Sequence, residues 1–132
     1  MNKEEFAVAL KNAWCKETSY EPEKWTPQNP AYGQCAITAP LVQNYFGGKI
    51  LWCEVFLPNE EIVYGKGIDH YFNEVDAEII DYTKQQFPKR SIFTKPAQKH
   101  KTFNTTRDFI LSYPKTSRRD KILKNRLQSK AA

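Results

Sequence analysis

The sequence lacks any long hydrophobic run and contains few cysteines. No stretch approaches the roughly 18 apolar residues of a membrane-spanning helix, and Met1–Glu5 opens an amphipathic segment, not a signal peptide. Cys15, Cys35 and Cys53 are odd in number and lie 20 and 18 residues apart. This spacing suits neither a disulfide framework nor a zinc site. We therefore expect free thiols in a reducing cytoplasm, with no metal, no cofactor and no membrane partner.

Length and composition predict a single domain over residues 1–132. The chain is 40% hydrophobic and 14% aromatic, which argues against disorder and allows a core to form without metal or disulfide support. Within the domain we predict an N-terminal helix at 1–16, a catalytic core at 29–87 and a basic helical region at 105–130.

Positive charge is concentrated in the last third of the chain. Residues 1–83 hold 6 Lys and Arg against 13 Asp and Glu, whereas residues 84–132 hold 14 against 2, so net charges of −7 and +12 make up the total of +5. Such a region can attract nucleic acid or an acidic protein, but it can also pair with the acidic part of its own domain. Six side chains in and just before the predicted last helix form what we call the basic patch, and those at positions 119, 121, 124 and 126 are expected to face outward. The six are Lys115, Arg118, Arg119, Lys121, Lys124 and Arg126.

Hydrophobic periodicity and turn residues predict an α+β fold, in which a small antiparallel sheet of about three to five strands packs on a helix beginning at Cys35. That helix should end at Gly47, and Pro40 in its second turn is expected to kink it or tighten its start to a 3₁₀ turn. A proline-containing loop over 17–34 precedes it. Strands are predicted at 49–57, 62–64, 69–75 and 78–83, and the other helices at 2–16, 107–111 and 118–128, the last capped by Ser117.

Cys35 is the first candidate site residue. At the start of a helix its sulfur would face unpaired backbone N–H groups and the positive end of the macrodipole, both of which favour a thiolate. A lone cysteine is more often buried and inert, so the chemistry requires a partner base. Cys15 and Cys53 are expected to serve packing.

A predicted hairpin supplies that base. If the turn is centred between Val75 and Asp76, His70 lies opposite Asp81, with Cβ atoms roughly 4.5–5.5 Å apart. A slip of one residue would place them on opposite faces of the sheet. The carboxylate would fix the imidazole tautomer and stabilise the imidazolium.

These residues make up a candidate catalytic triad. Cys35 would be the nucleophile, His70 the base and Asp81 the orienting acid. Donors for a developing oxyanion would be the Cys35 backbone N–H and the side chain of Gln34 or Gln28.

Four segments between roughly Trp25 and Phe87 form a recognisable pattern: Asn29–Ala39, Val42–Ile50, His70–Asn73 and Ile80–Phe87. Together they resemble the YunG-like family of small bacterial proteins. The resemblance implies a compact relative of the papain-like cysteine peptidases, with Cys35, His70 and Asp81 in the roles above. Tyr32–Cys35 is also similar to the nucleophile motif of transglutaminases, although Ala36 replaces the expected tryptophan.

Two functions from different classes follow. The first is a cytoplasmic thiol hydrolase or acyl-transferase that acts on an amide bond in a peptide, a protein isopeptide or a glutamine side chain. The second is a non-enzymatic binding module that engages nucleic acid or an acidic protein through the basic patch. A degenerate relative of the enzyme that serves as a scaffold is a third interpretation.

Overall fold

The computed structural model describes residues 1–131, and side chains as far as Ser129. Within this range the protein is α+β, as predicted, with a four-stranded antiparallel sheet and helices packed around it. The helices are α1 (Lys3–Ala13), α2 (Cys35–Phe46), α3 (Thr106–Leu111) and α4 (Pro114–Ala131), with short 3₁₀ turns at Lys16–Thr18, Pro22–Lys24 and Lys84–Gln86. The strands are β1 (Lys49–Phe56), β2 (Ile68–Val75), β3 (Glu78–Ile80) and β4 (Ile92–Phe93).

The strands lie in the order β3-β2-β1-β4, and each neighbouring pair is antiparallel. β1 and β2 form the centre, with Cys53 opposite His70 and Trp52 opposite Tyr71. The predicted strands at 49–57 and 69–75 are therefore confirmed. β3 pairs only with Asn73–Val75, so the part of β2 that carries His70 extends beyond the β3 ladder.

The predicted strand at 62–64 is wrong, because these residues lie in an exposed loop. The loop is held by a side chain of β1, not by its backbone ladder. The carboxylate of Glu54, which is 6% exposed, accepts hydrogen bonds from the N–H groups of Gly65 and Gly67 at 2.9 Å. This arrangement satisfies the buried charge and keeps the loop out of the sheet.

The register predicted for the β2–β3 hairpin is wrong by two residues. Val75 pairs with Glu78 and Asn73 with Ile80, which centres the turn on Asp76 and Ala77, both with positive φ (51° and 65°). Two-residue hairpin turns of this kind normally contain glycine or asparagine, so Asp-Ala gives little sequence signal. An even shift preserves the faces of both strands.

Local sequence signals set most helix ends correctly. The capping box of α1 is confirmed: the N–H of Glu5 donates to Asn2 Oδ1 at 2.8 Å, and the N–H of Asn2 donates to Glu5 Oε1 at 3.2 Å. α1 ends earlier than predicted, at Ala13. α4 begins at Pro114, so the prediction that Ser117 caps it is wrong. Proline suits the first helical turn because its φ is already fixed and no N–H is needed there.

α2 begins at Cys35 as predicted and ends at Phe46, with Gly47 as its C-cap at φ +75°. The expected 3₁₀ start is wrong, since the segment is α-helical from Cys35 and continues through Pro40. The Pro40 carbonyl accepts a hydrogen bond from Arg107 at 3.0 Å.

α2 is the packing centre of the protein, because its apolar side chains meet both the sheet and the terminal helices. The buried Asn73 side chain on β2 donates to the Ala39 carbonyl at 2.9 Å and fixes α2 against the sheet. None of the helices in residues 1–131 has both the length and the apolar character needed to cross a bilayer. The core around α2 contains Phe6, Leu10, Trp14, Ile37, Leu41, Val42, Val75, Leu123 and Leu127.

Candidate active site

Cys35 is the first residue of α2 and is half-buried. At this position its backbone N–H has no carbonyl partner within the helix. The residue two places before it, Gly33, has φ +72°, and a Cβ there would lie 2.4 Å from Ser19 Oγ. Gly33 also donates to Gln86 Oε1 at 3.1 Å and accepts from the N–H of Tyr20 at 2.8 Å. These contacts fix the loop that leads into Cys35.

His70 and Asp81 are in direct contact. His70 is fully buried, and its Nε2 lies 2.7 Å from Asp81 Oδ2. The other carboxylate oxygen, Asp81 Oδ1, accepts from the N–H of Thr83 at 3.3 Å. The true register differs from the predicted one by two residues. His70 and Asp81 are therefore diagonal neighbours on the same face of the hairpin, not directly opposed residues. The imidazole packs against three aromatic rings, those of Phe72, Phe87 and Phe93.

Cys35 lies beside the same imidazole. Burial opposes the charged form of His70, but its hydrogen bond to Asp81 and the electrostatic influence of Cys35 and Asp81 outweigh it and raise the pKa of His70 from 6.5 to about 9. Within the described part of the chain, the buried Nδ1 has no partner at ordinary hydrogen-bond geometry. Since Nε2 is occupied by Asp81, Cys35 is the ionisable neighbour left for Nδ1. The three residues of the candidate triad therefore share one location.

We predict that His70 titrates with a pKa of about 9 in the folded protein. An NMR titration can measure this, because the chain has two histidines and His100→Gln assigns the second imidazole. Asp81→Asn removes the carboxylate charge and should move the titration of His70 back toward 6.5. A wild-type value at or below 6.5 would mean that burial dominates and would contradict this description.

The sign of this shift also sets its effect on folding. Because the folded-state pKa of His70 lies above 6.5, protonation favours the folded state. The resulting stabilisation is complete below about pH 6.5 and is lost as the pH rises through about 9.

The other two cysteines occupy different environments. Cys53, opposite His70 on β1, is 1% exposed. Burial, followed by the charges of Asp81 and Cys35, raises the pKa of the Cys53 thiol to about 12, which leaves it uncharged at neutral pH. Cys15 is half-buried, and its backbone N–H donates to Thr18 Oγ1 at 2.9 Å. The sequence alone did not indicate that Cys53 lies opposite His70, because that depends on the register between β1 and β2.

The two glutamines named as oxyanion donors are placed differently. Gln34 is fully buried, and its Nε2 donates to the Cys15 carbonyl at 3.1 Å. Gln28 is exposed in the loop before α2. The Cys35 backbone N–H is thus the donor that lies at the sulfur itself.

The basic patch does not face outward as a unit, so that prediction is wrong. Arg119 and Arg126 turn inward: Arg119 donates to the Gly33 carbonyl at 3.4 Å, and Arg126 donates to the Ala13 carbonyl at 2.6 Å. Lys124 pairs with Asp120 at 3.0 Å. The exposed cations of the patch are Lys115, Arg118 and Lys121, which weakens the case for a nucleic-acid interface.

Fold and site together define an α+β protein in which a cysteine at a helix N-terminus and a buried His–Asp pair share one site. The chain belongs to the YunG protein family, because the model of that family matches residues 2–132, and the predicted family is thereby confirmed. It is 33% identical over 78 residues to a protein of Bacillus subtilis (strain 168) described as "Uncharacterized protein YunG". The alignment covers 59% of this chain and 56% of that relative, so the chain spans about half of the relative's length. No solved structure matches.

Proposed function

We propose that this protein is a thiol hydrolase or acyl-transferase that acts on an amide bond of a peptide, protein or glutamine side chain. Cys35 is the nucleophile, His70 the proton carrier and Asp81 the residue that orients it, in a core related to the papain-like enzymes. The observation that carries the proposal is the buried 2.7 Å contact between His70 Nε2 and Asp81 Oδ2, with Cys35 beside the same ring. A nucleophile, a base and an orienting group are the parts that thiol catalysis requires.

The proton begins on His70. With its pKa at about 9, His70 is an imidazolium at neutral pH, and this positive charge favours a thiolate at Cys35. Asp81 stabilises the imidazolium and fixes the ring so that Nδ1 faces the sulfur. In this resting state the nucleophile needs no further activation.

The reaction then follows two balanced steps. The Cys35 thiolate attacks the amide carbon to form a C–S bond, the C–N bond breaks, and His70 gives its proton to the departing nitrogen. Water, or an amine in an acyl transfer, next attacks the thioester carbon while His70 takes a proton from it. The C–S bond breaks, and the thiolate and imidazolium are restored. In both steps the backbone N–H groups at the start of α2 stabilise the oxyanion. Gln34 contributes indirectly, because its hydrogen bond to the Cys15 carbonyl holds the loop before α2 in place.

Selective alkylation tests the proposal. At about pH 6, iodoacetamide is expected to label Cys35 at least tenfold faster than Cys15, because Cys35 lies beside the His70 imidazolium, and Cys53 should not react in the folded protein. Mass spectrometry of the digested protein measures all three sites in one sample. The proposal fails if Cys35 reacts no faster than Cys15, since both are half-buried and exposure cannot then account for the result.

A further inference from the structure

Arg119 is a cation whose position the sequence does not reveal. It lies on α4 and is half-buried. Its Nη1 donates to the carbonyls of Thr18 at 3.2 Å and Gly33 at 3.4 Å, and its Nη2 donates to Thr116 Oγ1 at 3.4 Å. The guanidinium therefore reaches from α4 to the loop that ends at Cys35.

Arg119 has no carboxylate to balance its charge among the residues that the structure describes. Its bonds go to neutral oxygens, and its other close group is the ring of Tyr20, whose centroid lies 5.8 Å away. Burial lowers the pKa of Arg119, and the charge of Cys35 is the first of the interactions that oppose this effect. A partly desolvated cation without a counter-ion is costly, so a nearby thiolate is its natural partner.

We propose that Arg119 is a positioning residue of the site, which holds the Gly33 carbonyl ahead of Cys35 and supplies positive charge that stabilises the Cys35 thiolate. The inference rests on the proposed function, but it concerns a residue outside the triad. His70 and Arg119 would then approach the sulfur from two different elements, β2 and α4. Two cations favour the thiolate more strongly than one, because each interacts with it in a partly desolvated setting.

Four ionisable groups among the described residues have an electrostatic interaction with Cys35. They are His70 and Tyr71 on β2, Cys53 on β1 and Arg119 on α4. Burial raises the pKa of Tyr71 and of Cys53 well above neutrality, so both are uncharged at the pH of the experiment. His70 and Arg119 are the two cations among these four groups.

Arg126 provides a matched control on the same helix. It lies two turns further along α4, is also half-buried and also donates to a backbone carbonyl, that of Ala13. It links α4 to the end of α1 and makes no hydrogen bond to the Gly33 carbonyl in the described structure. If the inward arginines of α4 had only a structural role, substitution of either one would therefore have the same effect on Cys35.

The experiment compares Arg119→Gln, Arg119→Lys and Arg126→Gln by the pH profile of Cys35 carboxymethylation, with a denaturation midpoint for each protein. Arg119→Gln keeps a donor but loses the charge, and it should slow labelling at about pH 6 by about tenfold and move the profile up by about one pH unit. Arg119→Lys keeps the charge and should restore the profile to near that of the wild type. Arg126→Gln should leave the profile unchanged, whatever its effect on stability.

The outcomes separate this inference from the proposed function. If wild-type Cys35 is selectively labelled but Arg119→Gln has the wild-type profile, the inference is overturned and the triad stands. An equal shift in Arg126→Gln would also overturn it, because the effect would then be a general consequence of loosening α4. Should Arg119→Gln not fold, Arg119→Met is the second neutral variant. A wild-type protein without selective labelling refutes the triad itself, independently of Arg119.

Discussion

Replacing His70 by alanine is expected to slow the alkylation of Cys35 at about pH 6 by a factor on the order of 100. The variant removes the imidazolium that favours the thiolate and leaves the Asp81 carboxylate, 2.7 Å from the lost ring nitrogen, as an unbalanced negative charge. Both changes favour the neutral thiol, which is the unreactive form. The rate is measured by mass spectrometry of the Cys35 peptide over a time course.

Two controls make this result specific. His100→Ala removes the other histidine and should leave the labelling rate unchanged. Phe72→Ala removes a ring that stacks on His70 with centroids 5.5 Å apart, so it opens a comparable space in the same cluster without removing a charge. If Phe72→Ala slows labelling as much as His70→Ala, the loss reflects packing, and the imidazole has no chemical role.

Replacing Gly33 by alanine is expected to lower the free energy of unfolding by on the order of 2–5 kcal/mol. The residue has φ +72°, which strains any side chain, and a Cβ would lie 2.4 Å from Ser19 Oγ and 2.8 Å from the backbone nitrogen of Tyr20. The Tyr20 backbone cannot retreat without losing its 2.8 Å hydrogen bond to the Gly33 carbonyl. Because the same loop leads to Cys35, the variant should also slow alkylation of that residue.

Gly47→Ala is the matched control for the backbone strain. Gly47 has φ +75° and ψ −152°, a backbone region essentially confined to glycine, but a Cβ there meets nothing within 4 Å, so its cost should be about 1–3 kcal/mol. Urea denaturation followed by far-ultraviolet circular dichroism measures both variants. Equal losses at the two positions would show that crowding around Gly33 is unimportant and that the loop before Cys35 adapts freely.

Local patterns predicted the main parts of the site because each depends on short-range chemistry. The start of α2 at Cys35 follows from turn residues before it and a helical period after it, and its end follows from Gly47. The meeting of His70 with Asp81 was predicted for a register that is wrong. It is preserved because a hairpin shift of two residues leaves both side chains on one face and within diagonal reach.

The exposed loop at 62–64 and the inward arginines of α4 were missed because they depend on contacts with other segments of the chain. The loop with Gly65 and Gly67 is held by Glu54, a carboxylate that accepts three backbone hydrogen bonds. The apolar segment 62–64, whose composition suits a strand, therefore lies exposed to solvent outside the sheet. Arg119 and Arg126 were expected outside because cations of a helix usually face water. Backbone carbonyls far away in sequence, those of Thr18, Gly33 and Ala13, accept hydrogen bonds from these side chains and turn them inward. No periodicity in α4 encodes those partners.

The most direct measurement of the central claim is the rate of Cys35 carboxymethylation as a function of pH in the unmodified protein. A thiolate maintained by His70 predicts substantial reactivity that persists down to about pH 6 and below, with little further gain as the pH rises through 8. A single rise centred at about pH 8.5, the value of an isolated cysteine, would contradict it.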